Sequence, residues 1–304
     1  MKFITDYPVR SDMNGQWIQP GTMTEVCRHL ERLGLHGLGV TDHPAPSRKW
    51  LDNGGHEAFD PFAVLSFFAA VTSQMTLFTH LLVLPYRNPL LQISGMASLD
   101  VLSAGRAVFV LGTGYLRSEF AAVGVEFDDR NLLFDEAIEV IKKSSSGEPL
   151  IFHGRNFTAL DQVVLPGFVQ RPHPPLWLGG NSSRVLDRLA AWGQGWSVMM
   201  GSPELSRTAR TPLISTPVDL ARALADLDAR AQGHGRSLAD IAIQASTPVL
   251  RHGSAASIEE KINAIGELAD IGVSWVTIDL WPDSIEESKD LFQEFSEQVM
   301  PHFA

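Results

Sequence analysis

Asp42 and His43, followed by Pro44, close the apolar stretch Gly37-Leu38-Gly39-Val40-Thr41 and so put a carboxylate and an imidazole at the end of a strand. Such a pair can hydrogen-bond a heterocycle or move a proton near neutral pH. It can equally cap local backbone amides and pack on a rim, and residue types alone leave both readings open. His80 is the one strongly polar side chain within Leu77-Phe78-Thr79-His80-Leu81-Leu82-Val83-Leu84. Burying it unpaired would be costly, so it faces either a polar pocket or a buried partner. Gly112-Thr113-Gly114 ends another apolar run, with Tyr115, Arg117 and Glu119 behind it. Glycines there admit a ligand close to the backbone, and they also build an ordinary turn.

A further constellation has no acid–base character. Trp177-Leu178-Gly179-Gly180-Asn181-Ser182-Ser183 follows His173-Pro174-Pro175 and precedes a helical stretch. An apolar strand ending in two glycines, with small polar residues able to cap a helix whose first N–H groups are free, is the chemistry of a phosphate cradle. A plain strand-to-helix turn is built from the same parts.

Several function classes are excluded or weakened by what is missing. A net charge of −11 over 304 residues, with Lys and Arg scattered, argues against nucleic acid and anionic membranes as partners. No run of 18 or more apolar residues occurs, and the chain opens on Lys2-Phe3-Ile4-Thr5-Asp6, so a soluble cytoplasmic protein is expected. The single cysteine, Cys27, allows no internal disulfide and reads as a buried thiol. His-x-x-x-His pairs, cysteine sets and Gly-x-Ser-x-Gly are all lacking, which removes the usual metal and serine-hydrolase signals.

The elements that must position these residues alternate strand and helix almost from end to end, the pattern of βα units around a parallel sheet. Strands are predicted at Phe3 to Pro8, Gly37 to Thr41, Met75 to Leu84, Ala107 to Leu111, Pro175 to Leu178, Gly195 to Met199, Ile241 to Thr247 and Trp275 to Leu280. Predicted helices include one starting at a Thr22-x-x-Glu25 capping box and others at Pro61 to Ser73, Pro89 to Ser103 and Asn131 to Ser144, with capping boxes at Ser257 and Ser284. The stretch from Gly147 to Pro174 breaks the pattern and reads as an inserted hairpin between the fourth and fifth strands. Eight units in one domain spanning residues 1–304 make an α/β TIM barrel, whose active site lies at the carboxyl ends of the strands. A doubly wound sheet is the alternative; the missing Gly-x-Gly-x-x-Gly after the first strand counts against it.

The segments Gly-Leu-Gly-Val-Thr-Asp-His (37 to 43), Leu84-Pro85-Tyr86-Arg87-Asn88-Pro89, Ala97 to Arg106, Leu111 to Phe120 and Arg171 to Gly180 together resemble the luciferase-like monooxygenase superfamily. The resemblance covers most of the chain. It implies a TIM barrel holding a flavin-type cofactor beside a small-molecule substrate; a homodimer is expected from exposed apolar helix surfaces. Of the two cofactor groups in that superfamily, the 84–89 and 114–120 segments are more similar to the branch using the 5-deazaflavin coenzyme F420, which exchanges hydride at C5. The rival is an oxygen-using FMN monooxygenase; a non-catalytic cofactor-binding member is the third reading. By resemblance, Asp42 and His43 lie beside the cofactor ring, Gly112, Thr113 and Gly114 border it, and Gly179, Gly180, Asn181 and Ser182 hold its phosphate. The same resemblance places a non-prolyl cis peptide at His80–Leu81, backing the ring next to Thr79. His80 departs from the small or aliphatic residue expected there and is a candidate for substrate contact. His43, His80 and Glu119 are the candidate proton donors for hydride transfer to an organic, hydrophobic substrate. Trp17, Trp50, Phe59, Tyr115, Met199 and Trp281 are the candidate apolar walls of a substrate space, or equally ordinary packing.

Overall fold

A computed structural model describes residues 1–11 and 13–303. Eight parallel strands close into a barrel: β1 (Lys2–Asp6), β2 (Gly37–Val40), β3 (Thr76–Val83), β4 (Ala107–Gly112), β7 (Leu176–Gly179), β8 (Gly195–Ser197), β9 (Ala242–Arg251) and β10 (Trp275–Asp279). Their order around the barrel is β1–β10–β9–β8–β7–β4–β3–β2. The two remaining strands, β5 (Leu150–His153) and β6 (Thr158–Gln162), form an antiparallel hairpin inserted between β4 and β7. The strands are apolar through most of their length because both faces are covered, as parallel strands flanked by helices require. The chain divides into two compact units, Met1–Gly39 with Leu176–Ala304, and Val40–Pro175.

Within the first unit, the helix Pro20–Arg32 starts at its proline, with Gln19 as the residue before it. The Thr22-x-x-Glu25 capping box expected there is therefore not the start: Pro20, whose missing N–H costs nothing in a first turn, begins the helix two residues earlier. Ser257 does form the reciprocal box with Glu260, and Ser284 accepts from the Glu287 amide. β9 runs on to Arg251, past the predicted end at Thr247, and passes through Pro248. Its register against β10 jumps between Thr277 and Asp279, so the proline, which cannot donate to a ladder, falls in the irregular stretch. Trp17 and Trp281 meet edge to face at 5.6 Å beside Tyr7, with Trp281 against Phe292. Both indoles are 5% exposed or less, which makes them core rather than wall. Cys27 is free and buried, and burial, with a smaller contribution from Glu31, pushes its thiol pKa far up.

In the second unit, the helices Pro61–Val71, Pro89–Leu102 and Arg130–Ser144 follow the predicted spans closely. Asp60 caps the Phe62 and Ala63 amides and Asn88 caps that of Leu90. Arg106 rivets the base of β4, donating to the carbonyls of Ala69, Thr72, Met75 and Ser103 and to Thr72 Oγ1. Asp100, fully buried, accepts from the amides of Val169 and Gln170 at 2.7 and 3.0 Å and from Gln170 Nε2 at 2.7 Å. That carboxylate ties the end of the insertion to the helix Pro89–Leu102. Asp100→Ala leaves three donors without their acceptor and is expected to cost about 3 kcal/mol. Denaturant unfolding checks this; an unchanged midpoint would show that the insertion is held by other means.

Candidate functional site

In β3 the register against β4 shifts between His80 and Leu82, leaving Leu81 outside the ladder, and the His80–Leu81 peptide is cis as the resemblance implied. Leu81 turns its side chain onto Gly112: a Cβ at that position would lie 2.4 Å from Leu81 Cδ1. Gly114 sits at φ +74° with Val83 and Phe120 side chains within 3.0 Å of where its Cβ would be. Both glycines are thus demanded by their neighbours, and Thr113 lies between them. Thr79 is fully buried and donates Oγ1 to the Val110 carbonyl at 3.0 Å, so its hydroxyl is committed to the barrel wall. His80 is half-buried on β3.

Asp42 and His43, adjacent in sequence, are put to different uses. The Asp42 carboxylate is 1% exposed and takes Arg87 Nη1 and Nη2 at 2.6 and 2.8 Å, a two-pronged ion pair, together with the Val83 amide at 3.0 Å. Arg87 also reaches Asp60 at 3.2 Å. Asp42 therefore joins the end of β2 to the end of β3 and to the start of the helix Pro61–Val71. His43 turns its Nδ1 to Glu119 Oε2 at 3.0 Å, although 76 residues separate them. Glu119 is fully buried and also accepts from the Tyr86 hydroxyl at 2.9 Å and the Ala45 amide at 3.3 Å.

This arrangement dictates the proton's position. With Glu119 as a carboxylate, His43 Nδ1 carries the hydrogen, which leaves Nε2 as acceptor in the neutral ring and as donor once protonated. Among the described residues no polar group engages Nε2. The phenols nearby remain donors at neutral pH. Burial raises the Tyr86 pKa well beyond the usual range, with Glu119 adding to it, and raises that of Tyr115 to about 12 for the same two reasons. The His43 ring is hemmed in by Trp50 at 4.6 Å, His56 at 5.0 Å and Tyr115 at 6.3 Å between centroids.

Sequence reasoning singled out His43 and Glu119 separately but gave no sign that they are partners. It missed Tyr86, Arg87 and His56 as contributors. The tight Pro85-Tyr86-Arg87-Asn88-Pro89 run after β3 was the available signal, since two polar side chains flanked by prolines in an otherwise apolar region need partners.

In the other unit, the predicted cradle is partly spoken for. Gly180 takes φ +97°, and a Cβ there would stand in ordinary contact with Thr211 Oγ1 at 3.9 Å and Val185 at 4.0 Å. Its amide goes to the Ser197 carbonyl, and the Asn181 amide goes to Thr211 Oγ1 at 2.7 Å. The Asn181 side chain accepts from the Met199 amide and donates to the carbonyls of Met199 and Pro212. Gly179, Gly180 and Asn181 therefore shape the turn, while Ser182 caps the helix Ser183–Ala191. The donors left for an anion are the first-turn amides of Ser183 and Arg184, which have no intrahelical acceptor. The left-handed conformation of Gly180 and these two amides fit a phosphate. No group of three or more metal-ligating side chains is found among the described residues, and no helix among them is long and apolar enough to cross a membrane.

Comparison with known proteins agrees with the barrel. The F420-dependent glucose-6-phosphate dehydrogenase of Kineococcus radiotolerans is 32% identical over 52% of this chain and 45% of its own length. The FMNH(2)-dependent dimethylsulfone monooxygenase of Pseudomonas putida is 29% identical over 40% of this chain and 35% of its own. The crystal structure of the monooxygenase RslO1 from Streptomyces bottropensis superposes over all of both chains with a TM-score of 0.80 at 20% identity, a likeness of fold. The chain spans about half or less of the length of the curated relatives it matches. The family profile described as luciferase-like monooxygenase matches residues 1–271, and the chain belongs to that family.

Proposed function

We propose that this protein is an oxidoreductase that transfers hydride between coenzyme F420 and an organic substrate, with His43 Nε2 giving or taking the accompanying proton. The observation that carries the reading is the imidazole whose Nδ1 is tied to a fully buried carboxylate while Nε2 stays unengaged. Coenzyme F420, when bound, supplies a hydride donor or acceptor at C5. Within the unit that carries His43, Gly112, Thr113, Gly114 and the His80–Leu81 segment would border its ring.

The rest is done by the protein's own groups. Glu119 fixes the tautomer and the direction of the His43 ring and provides a counter-charge when the ring takes a proton. Tyr86 and the Ala45 amide hold Glu119 in place, so the acid does not have to reorient during the reaction. Asp42, occupied by Arg87 and the Val83 amide, keeps the β2 and β3 ends together and acts through position. His80 and Tyr115 are proposed to face the substrate. The His43–Glu119 contact, which leaves Nε2 unengaged, supports a catalytic member over a non-catalytic one.

An FMN-dependent oxygenase is the second reading, favoured by the Pseudomonas putida relative. Equilibrium titration of the full chain with F420 and with FMN, followed by oxygen uptake with reduced FMN, separates the two. F420 is expected to bind at least tenfold more tightly, a difference of about 1.4 kcal/mol. Tighter FMN binding with oxygen consumption would transfer the chain to the monooxygenase group.

A further inference from the structure

The turn after β2 carries a second imidazole that no proton-transfer role requires. His56 Nε2 meets Thr41 Oγ1 at 3.0 Å, and its ring stands edge to face against His43, 5.0 Å away at 87°. Trp50 completes a triangle, 4.6 Å from His43 and 5.3 Å from His56. The triangle is fixed by the backbone of its own loop. Ser47 caps the short helix Arg48–Leu51, and the Gly55 amide bonds the Trp50 carbonyl at 3.0 Å. The indole lies directly over Gly55, where a Cβ would come within 2.3 Å of the ring, so only glycine lets Trp50 reach this position. Thr41 and His43 both follow the end of β2, and His56 contacts the one through Nε2 and the other through its ring. His56 spans them both.

From these contacts we propose that His56 is a positioning residue for the proton donor: anchored on Thr41, it presses its ring against His43 and, with Trp50, holds the imidazole so that Nδ1 stays on Glu119. This rests on His43 being the proton donor. Hydrogen-bonding to Glu119 alone leaves the ring free to rotate about that bond, and aromatic contacts of this geometry are the means by which the plane is set. The charged and titratable groups around the His43 ring are Glu119 on β4's following helix, Tyr115 before it, and His56 itself.

The readout is the His43 Nδ1 proton, observed by NMR of the full chain labelled at histidine nitrogen. Among the ten histidines it is assigned by its disappearance in His43→Ala and its shift in Glu119→Gln. A hydrogen held on a buried carboxylate exchanges slowly with water, and a loosened ring exposes it. His56→Ala, which removes both the anchor and the ring, is expected to raise the exchange rate about tenfold or more. Thr41→Val and His56→Phe, which sever only the anchor, are expected to fall between it and the unmodified protein, with folding checked by circular dichroism. Exchange in His56→Ala equal to that of the unmodified protein would overturn the inference. Should His56→Ala fail to fold, unchanged exchange in both Thr41→Val and His56→Phe overturns it equally. The outcome is separable from the proposed function. A His43→Ala enzyme with undiminished turnover would sink the proton-donor role whatever the exchange data show, whereas unmoved exchange would sink only the role of His56.

Discussion

Replacing His43 with alanine is expected to slow the single-turnover oxidation of bound reduced F420 roughly a hundred- to ten-thousand-fold, the usual loss when a positioned general acid is removed. The substrate is chosen as whichever carbonyl compound in a panel the unmodified enzyme reduces fastest. Affinity for F420 should change little, because the imidazole is engaged with Glu119 and leaves only Nε2 free. That split between rate and affinity distinguishes a proton donor from a wall residue, whose loss would weaken binding and rate together. Glu119→Gln should lose a smaller part of the rate: the amide still fills the space, but it can place its NH2 toward His43 or toward Tyr86 and so unsettle the tautomer. His80→Ala, by contrast, should alter which substrates are accepted more than the rate with the best one. A His43→Ala rate within threefold of the unmodified enzyme would remove the acid–base role from this side chain.

The second large effect is on stability. Asp42→Ala is expected to cost about 3–5 kcal/mol, the usual penalty for breaking a buried ion pair from one side. The carboxylate is 1% exposed and accepts three hydrogen bonds, two from Arg87 and one from the Val83 amide. Arg87 is itself partly exposed and keeps Asp60, so the lower end of that range is expected. Asp42→Asn, which can still accept from Val83 but loses half of the two-pronged pair, should cost less. Denaturant unfolding of the three proteins checks the order; an Asp42→Ala midpoint equal to that of the parent would mean that the carboxylate is held without being needed.

The barrel was legible because most of its strands are short apolar runs and several of the helices between them announce their starts. Pro61 and Pro89, preceded by Asp60 and Asn88, gave their helices to within a residue or two. Where reading failed, two local rules competed. At Thr22 a plausible box lost to the proline two residues earlier, and at Pro248 the strand continued through a residue that usually ends one. The hairpin was visible only as a lapse in periodicity, since its strands expose Ile151 and Leu160 and so lack clean alternation.

The site was legible as a set of addresses and not as a set of bonds. His43, Tyr86 and Glu119 belong to three different strand ends, and nothing local in the sequence tells that one carboxylate serves the other two. Asp42 illustrates the same difficulty. A carboxylate beside an imidazole invites a chemical role, and the sequence gives no sign that an arginine 45 residues away takes both of its oxygens. At Asn181 too the partners are distant, its side chain bridging the backbone of Met199 and Pro212. Local sequence gives the positions of polar residues at strand ends; their partners are decided by long-range pairing.

A double-mutant cycle on the single-turnover rate tests most directly the claim that Glu119 acts through His43. If the carboxylate only orients and supports the imidazole, the His43→Ala, Glu119→Gln double variant will be as slow as His43→Ala alone, within about threefold, because a group with nothing to orient has nothing to lose. A double variant slowed by the product of the two separate losses would show that the two residues contribute independently, and the coupled pair would have to be given up.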